Sequence, residues 1–190
     1  MQTMTLTINS REVTAEVDER TLLLEFIRDV AGATGTHNGC LEARCGCCAV
    51  EVDGDVVKSC NVLALQVAGR SVTTVEGLAP QRVAPLEHIT TQSLAGVYRP
   101  LDALGAQGDD LHPLQAAFHS CHALQCGFCT PGMLMVLKDY LEDEPDPTRE
   151  DVRRAIAGNL CRCTGYQHIV DAAMEAAETM RAAATSAADG

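Results

Sequence analysis

The chain has very few aromatic residues. Its 190 residues include no Trp, three Tyr and three Phe, so its cores must be aliphatic and single-stranded bases would find few rings to stack on. Positive charge is also scarce, with two lysines and a net charge of -12. Because nucleic-acid phosphates are bound by clustered Lys and Arg, this composition excludes nucleic-acid binding.

Long apolar runs are missing as well. No stretch reaches the roughly 18 apolar residues of a transmembrane helix, and Met1 to Thr7 has neither the basic start nor the apolar run of a signal peptide. We therefore expect a cytoplasmic protein. In reducing cytosol, ten cysteines predict metal binding rather than disulfides.

The first half reads as a small α+β domain, residues 1–78. Alternating apolar and polar residues over 5–19 predict a β-hairpin broken at Asn9 to Arg11. A helix over 22–30, capped by Thr21 and ended near Gly32, should follow. After a glycine-rich cysteine loop, residues 49–60 form a second hairpin around an Asp53-Gly54 turn.

The second half has a helical pattern. Residues 79–110 contain scattered prolines and glycines and read as a connector or insertion. Beyond it, four helices are predicted at 113–123, 131–141, 149–157 and 169–181, with Thr130 and Thr148 as caps of the second and third. They indicate a compact bundle over 111–181, followed by a frayed tail at 182–190.

The first cysteine set has the spacing of plant-type [2Fe-2S] ferredoxins, Cys40-x4-Cys45-x2-Cys48 with Cys60 further on. Gly39 and Gly46 allow the loop to turn sharply and bring backbone N–H groups near sulfur. The same spacing leaves Cys47 as a small buried hydrophobe.

The second set is Cys126-x2-Cys129 with Cys161-x-Cys163, two pairs that each precede a predicted helix. Four thiolates can also hold zinc in a tetrahedral site, so the spacing alone leaves zinc open, more so for this set than for the first. Cys121 has no partner by spacing and is expected to pack. No dinucleotide or phosphate loop occurs, so a flavin or nicotinamide would belong to another chain.

Three groups of motifs carry a family resemblance: GTHNGCLEARCGCCAVEVDG with KSC, then LHPLQAAF with LQCGFCTPGMLM, and GNLCRCTGYQHIV. The chain resembles the iron-sulfur portion of the xanthine oxidase family of molybdenum hydroxylases over nearly its whole length. The resemblance implies a β-grasp ferredoxin domain followed by a four-helix bundle, with a [2Fe-2S] cluster in each. It also implies that Gln125 hydrogen-bonds a molybdopterin cofactor and that Cys163 is the ligand nearest to that pterin.

The implied function is electron transfer within an oxidoreductase. This chain would relay single electrons from a molybdenum centre on a large subunit through two clusters to FAD on a medium subunit, and would carry no catalytic residue of its own. The alternative is a free-standing two-cluster ferredoxin. The sequence departs from the family at Cys47, at Cys121 and in the longer segment 80–110.

Overall fold

The computed structural model describes residues 1–79 and 111–188. The predicted connector therefore lies, apart from Ala79, outside the described residues. The described first half contains five β-strands and a short α-helix, and the described second half contains four longer α-helices. The described part of the chain is thus a mixed α+β structure.

The first hairpin forms as predicted, with β1 (Gln2–Ile8) antiparallel to β2 (Arg11–Val17). Its two-residue turn places Asn9 and Ser10 at φ of 49° and 65°, the backbone of a type I′ turn, which matches the twist of the strands. A second hairpin joins β3 (Ala49–Val52) to β4 (Asp55–Lys58) around Asp53 and Gly54.

A fifth strand was missed by the sequence analysis. β5 (Ser71–Thr73) pairs in parallel with β1 and antiparallel with β3, so the sheet order is β2-β1-β5-β3-β4. Three residues are too few to show an alternating pattern, and the strand exists because two longer strands hydrogen-bond it on either side.

Helix α1 (Leu23–Glu25) continues as a wider turn over Phe26–Val30. The prediction that Thr21 caps this helix is wrong, because the cap residue is Leu22. The backbone N–H of Leu22 donates to the Glu25 carboxylate at 2.9 Å. The helix packs on one face of the sheet. Its apolar side chains join those of β1, β3 and β5 in a first core.

The second half contains α2 (Pro113–Ser120), α3 (Thr130–Asp143), α4 (Arg149–Ala155) and α5 (Gln167–Ala188). Thr148 caps α4 as predicted, its hydroxyl accepting from the N–H of Asp151. Cys129, not Thr130, is the cap residue of α3, so that prediction is wrong. Helix α5 continues past Arg181 because its end is rich in alanine, the best helix former.

The two halves pack directly on each other. Ala49 of β3 is buried in the second core together with the apolar faces of α2 to α5, and Val56 of β4 packs against the same core. Across this contact Lys138 of α3 pairs with Glu51 of β3 at 2.7 Å, with both side chains mostly buried. Helix α1 therefore packs on one face of the sheet, and α3 packs on the other face at β3 and β4. No helix within the described ranges is both long and apolar enough to cross a membrane.

Candidate metal centres

The first cysteine loop is shaped by left-handed backbone. Leu41, Ala43 and Gly46 have φ of 56°, 55° and 73°, which turns successive backbone N–H groups toward one point. The backbone N–H groups of Glu42, Arg44 and Cys45 each donate to Cys40 Sγ at 3.4 Å. The N–H of Ala43 donates to Cys60 Sγ at 3.3 Å. The loop is a set of donors wrapped around two of the predicted sulfur ligands.

The four predicted thiols of this set differ in burial: Cys40 and Cys45 are partly exposed, whereas Cys48 and Cys60 are buried. The donating N–H of Cys45, followed by that of Glu42, lowers the pKa of Cys40 to about 7, which favours its thiolate, whereas burial raises the pKa of Cys60 to about 11. The set therefore has two thiols near the surface and two in the interior.

Cys47 lies next to Cys45, and the Sγ atoms of both residues border Gly39. It is 4% exposed, and burial raises the pKa of its thiol to about 12. Its backbone carbonyl accepts from the N–H of His37 at 3.3 Å. Its burial is consistent with the packing role predicted from the spacing.

The second set also contains exposed and partly buried thiols. Cys163 Sγ lies 3.5 Å from Cys126 Sγ at an exposed position, whereas Cys129 and Cys161 are partly buried. Burial, then the Cys161 thiol, raises the pKa of Cys129 to about 12. Against the effect of its own burial, hydrogen bonds from Thr164 lower the pKa of Cys161.

Polar groups support the outer end of this second set. Gln125 Nε2 donates to the carbonyl of Cys163 at 3.1 Å, so the two residues that the family resemblance placed near a pterin lie together at the surface. The Tyr166 hydroxyl accepts from the N–H of Cys161 at 2.8 Å. Thr130 Oγ1, in the residue that follows Cys129, is buried without a hydrogen-bond partner among the described residues.

No preformed site for a single metal ion is present in the described part of the chain. Among residues 1–79 and 111–188, no three His, Cys, Asp or Glu side chains lie together as such an ion would require. Cys121 is outside both sets and donates to Glu175 Oε2 at 3.1 Å. The eight cysteines expected to be ligands therefore stay a prediction from their motifs.

The first cysteine loop, which carries Cys40, Cys45 and Cys48, touches the second cysteine loop, which carries Cys161 and Cys163. The N–H of Leu160 donates to the carbonyl of Cys45 at 2.9 Å, and the buried Asn159 donates from Nδ2 to the carbonyl of Gly46 at 3.3 Å. At the surface, His37 stacks on Phe128 with ring centroids 4.7 Å apart and donates from Nδ1 to its carbonyl at 2.8 Å. The sequence analysis missed these linking residues, because no cysteine spacing indicates which neighbours meet across the two halves.

Comparisons with known proteins agree with this architecture. Residues 6–73 match the family described as 2Fe-2S iron-sulfur cluster binding domain, and residues 101–174 match the family described as [2Fe-2S] binding domain. Caffeine dehydrogenase subunit gamma of Pseudomonas sp. strain CBB1 is 41% identical over 172 residues, which cover 89% of this chain and 87% of that protein. Nicotine 6-hydroxylase small subunit of Paenarthrobacter nicotinovorans is 43% identical over 169 residues, covering 89% and 86%.

Among solved structures, quinoline 2-oxidoreductase from Pseudomonas putida 86 contains a chain that is 38% identical and superposes with a TM-score of 0.76. The match covers 95% of this chain and 96% of that one. The similarity therefore extends over both halves and not over one cysteine motif alone.

Proposed function

Because the chain belongs to the iron-sulfur subunits of the xanthine oxidase family of molybdenum hydroxylases, we propose that it links a molybdopterin centre on a large partner subunit to FAD on a medium one. Its role in that family is electron transfer. The observation that carries this proposal is the direct contact of the two cysteine loops, above all the hydrogen bond from Leu160 to Cys45. Electron transfer falls steeply with distance, so a relay needs its two sites adjacent. In this scheme the chain has no catalytic residue.

The family matches support the ligand assignment, because each half of the chain matches a family of [2Fe-2S]-binding domains. A [2Fe-2S] cluster takes two protein ligands on each iron. We assign Cys40 with Cys45, and Cys48 with Cys60, to the two irons of the first cluster. For the second we assign Cys126 with Cys163, and Cys129 with Cys161. Each bound cluster would supply one-electron redox chemistry that no side chain of this protein provides.

The chain's own contribution is to hold and surround these sulfurs. Backbone N–H groups donate to Cys40, Cys60 and Cys161, and hydrogen bonds to sulfur raise the potential of an iron-sulfur site. The Thr130 hydroxyl, which has no hydrogen-bond partner among the described residues, could likewise donate to a sulfur atom of the second cluster.

We also propose the finer architecture that the family resemblance implies. The first half, 1–78, would be a β-grasp ferredoxin domain, and 111–181 a four-helix bundle formed by α2 to α5. The exposed end of the second set, with Gln125 and Cys163, would face the large subunit and its pterin. The first set would then lie toward the FAD subunit, within a cytoplasmic complex.

Anaerobic reduction by dithionite, followed by EPR, tests the proposal on the purified complex, with iron, sulfide and zinc measured on the same sample. We expect two distinct paramagnetic signals and about four irons per chain. Copurification of molybdenum and FAD supports the relay. A pure chain that holds both clusters but neither partner subunit would contradict the relay and would indicate a free-standing ferredoxin. Stoichiometric zinc in one cysteine set would show that this set does not hold a [2Fe-2S] cluster.

Single substitutions then test the assignment. Cys45→Ser should remove the first EPR signal and Cys129→Ser the second, because each takes one thiolate from a pair. Cys47→Ser and Cys121→Ser are matched controls that remove a thiol from outside the pairs, and both signals should persist. Loss of half of the iron in Cys47→Ser would show that Cys47 is a ligand.

A further inference from the structure

Lys58 is a cation that contacts both cysteine loops. It is the last residue of β4, two positions before Cys60. Its ammonium Nζ donates to the carbonyl of Ala43 in the first loop at 2.8 Å and to the carbonyl of Gly158, shortly before Cys161, at 3.3 Å. One side chain therefore spans the boundary between the two candidate metal centres.

In the described part of the chain, no carboxylate forms an ion pair with Lys58. The chain's other lysine, Lys138, pairs with Glu51 and Glu142, but within the described ranges no Asp or Glu oxygen lies within 4.0 Å of Lys58. Its hydrogen-bond acceptors are the two carbonyl oxygens. A half-buried ammonium in this position has its full charge available to act on neighbouring groups.

The arginines inside the cysteine motifs are placed differently. Arg44 is 80% exposed and lies 3.7 Å from Glu42, and Arg162, between Cys161 and Cys163, is exposed. Solvent and salt screen charges at such positions. Lys58 is better placed than either to influence both centres.

We propose that Lys58 is a positioning residue whose single positive charge is shared by the two clusters and raises both reduction potentials. The inference rests on the proposed function, since it requires a cluster in each set. Reduction adds negative charge to an already anionic centre, and a fixed cation nearby stabilises the reduced form more than the oxidised form. Because the ammonium is hydrogen-bonded to both loops, it should raise both reduction potentials.

The test is a redox titration of the intact complex, followed by the EPR signal of each cluster. Lys58→Met, which removes the charge and the donor, should lower both potentials by roughly a tenfold change in each one-electron equilibrium constant, about 59 mV. Lys58→Arg restores the charge and should restore both potentials. Lys58→Gln keeps a donor without the charge, and its potentials should match those of Lys58→Met.

Arg20→Met is the matched charge control, because it removes one cation from a side chain that is 90% exposed and paired with Asp18. It should leave both potentials unchanged. If Lys58→Met loses iron, Lys58→Gln and Lys58→Arg decide the question: equal potentials in these two would overturn the inference. A shift of only one cluster would overturn the shared role. Zinc or a missing signal in the unmodified complex would instead refute the proposed function.

Discussion

The close approach of α3 to the first cysteine loop makes Gly132→Ala the sharpest test of how the two halves pack. Gly132 is buried in the first turn of α3. A Cβ added to it would lie 2.0 Å from the carbonyl oxygen of Gly46 and 3.0 Å from the Cα of Cys47. Real Cβ contacts essentially never fall below 3.0 Å. Both neighbours are backbone atoms of the cysteine loop, so helix and loop must separate.

The expected magnitude follows from two opposing effects. Alanine favours a helix over glycine by up to about 1 kcal/mol. Forcing extra volume into packed backbone costs about 1–3 kcal/mol. The clash is with backbone atoms, so the cost lies at the upper end of that range, about 3 kcal/mol, and the net fall in the free energy of unfolding should be about 2 kcal/mol. This corresponds to a melting temperature about 4–8 °C lower for a chain of this size.

Thermal unfolding of the metal-loaded protein measures this effect, with far-UV circular dichroism following the helices and visible absorbance following the clusters. Gly158→Ala is the matched control, because a Cβ there would meet Lys58 Nζ at 3.6 Å, an ordinary van der Waals contact. We expect the free energy of unfolding of Gly158→Ala to lie within about 0.5 kcal/mol of that of the unmodified chain. If Gly132→Ala melts at or above the unmodified temperature, α3 does not approach the loop as described.

Three further predictions concern contacts away from the sulfurs. Lys138→Met leaves Glu51 mostly buried without its cation and should lower the free energy of unfolding by about 1–3 kcal/mol; an unchanged denaturant midpoint would contradict this. His37→Phe keeps the ring stacked on Phe128 but loses the hydrogen bond to its carbonyl, whereas His37→Asn can keep the hydrogen bond but loses the stacking. Each variant should lower the free energy of unfolding by about 1 kcal/mol. Full thermal stability in both variants would show that this contact does not stabilise the protein. His112 accepts at Nδ1 from the N–H of Leu114, and burial lowers its pKa below 6.5. Because the unfolded chain binds the proton more readily, stability should decline as pH falls below about 6.5; His112→Asn, which can keep the cap, should lose that component of the pH profile.

Local residue choices predicted much of the secondary structure. Asn9-Ser10 and Asp53-Gly54 supply the backbone that two-residue hairpin turns need, and Thr148 with Asp151 supplies a capping pair. These signals work because the residues that interact are neighbours in the chain. The prediction failed at the Thr21 and Thr130 caps, where residues one position away took the role, and at β5, whose strand conformation depends on β1 and β3.

For the candidate site, the sequence by itself determined which cysteines are grouped, because the bond lengths of the chain limit how ligands within a short loop can be spaced. It also indicated that Cys47 and Cys121 stand apart from the two sets. Only the tertiary structure decided which thiols are buried and that Lys58, Asn159 and Gly132 lie at the boundary between the loops. The contacts of these three residues join positions far apart in the chain, so no local sequence signal predicts them.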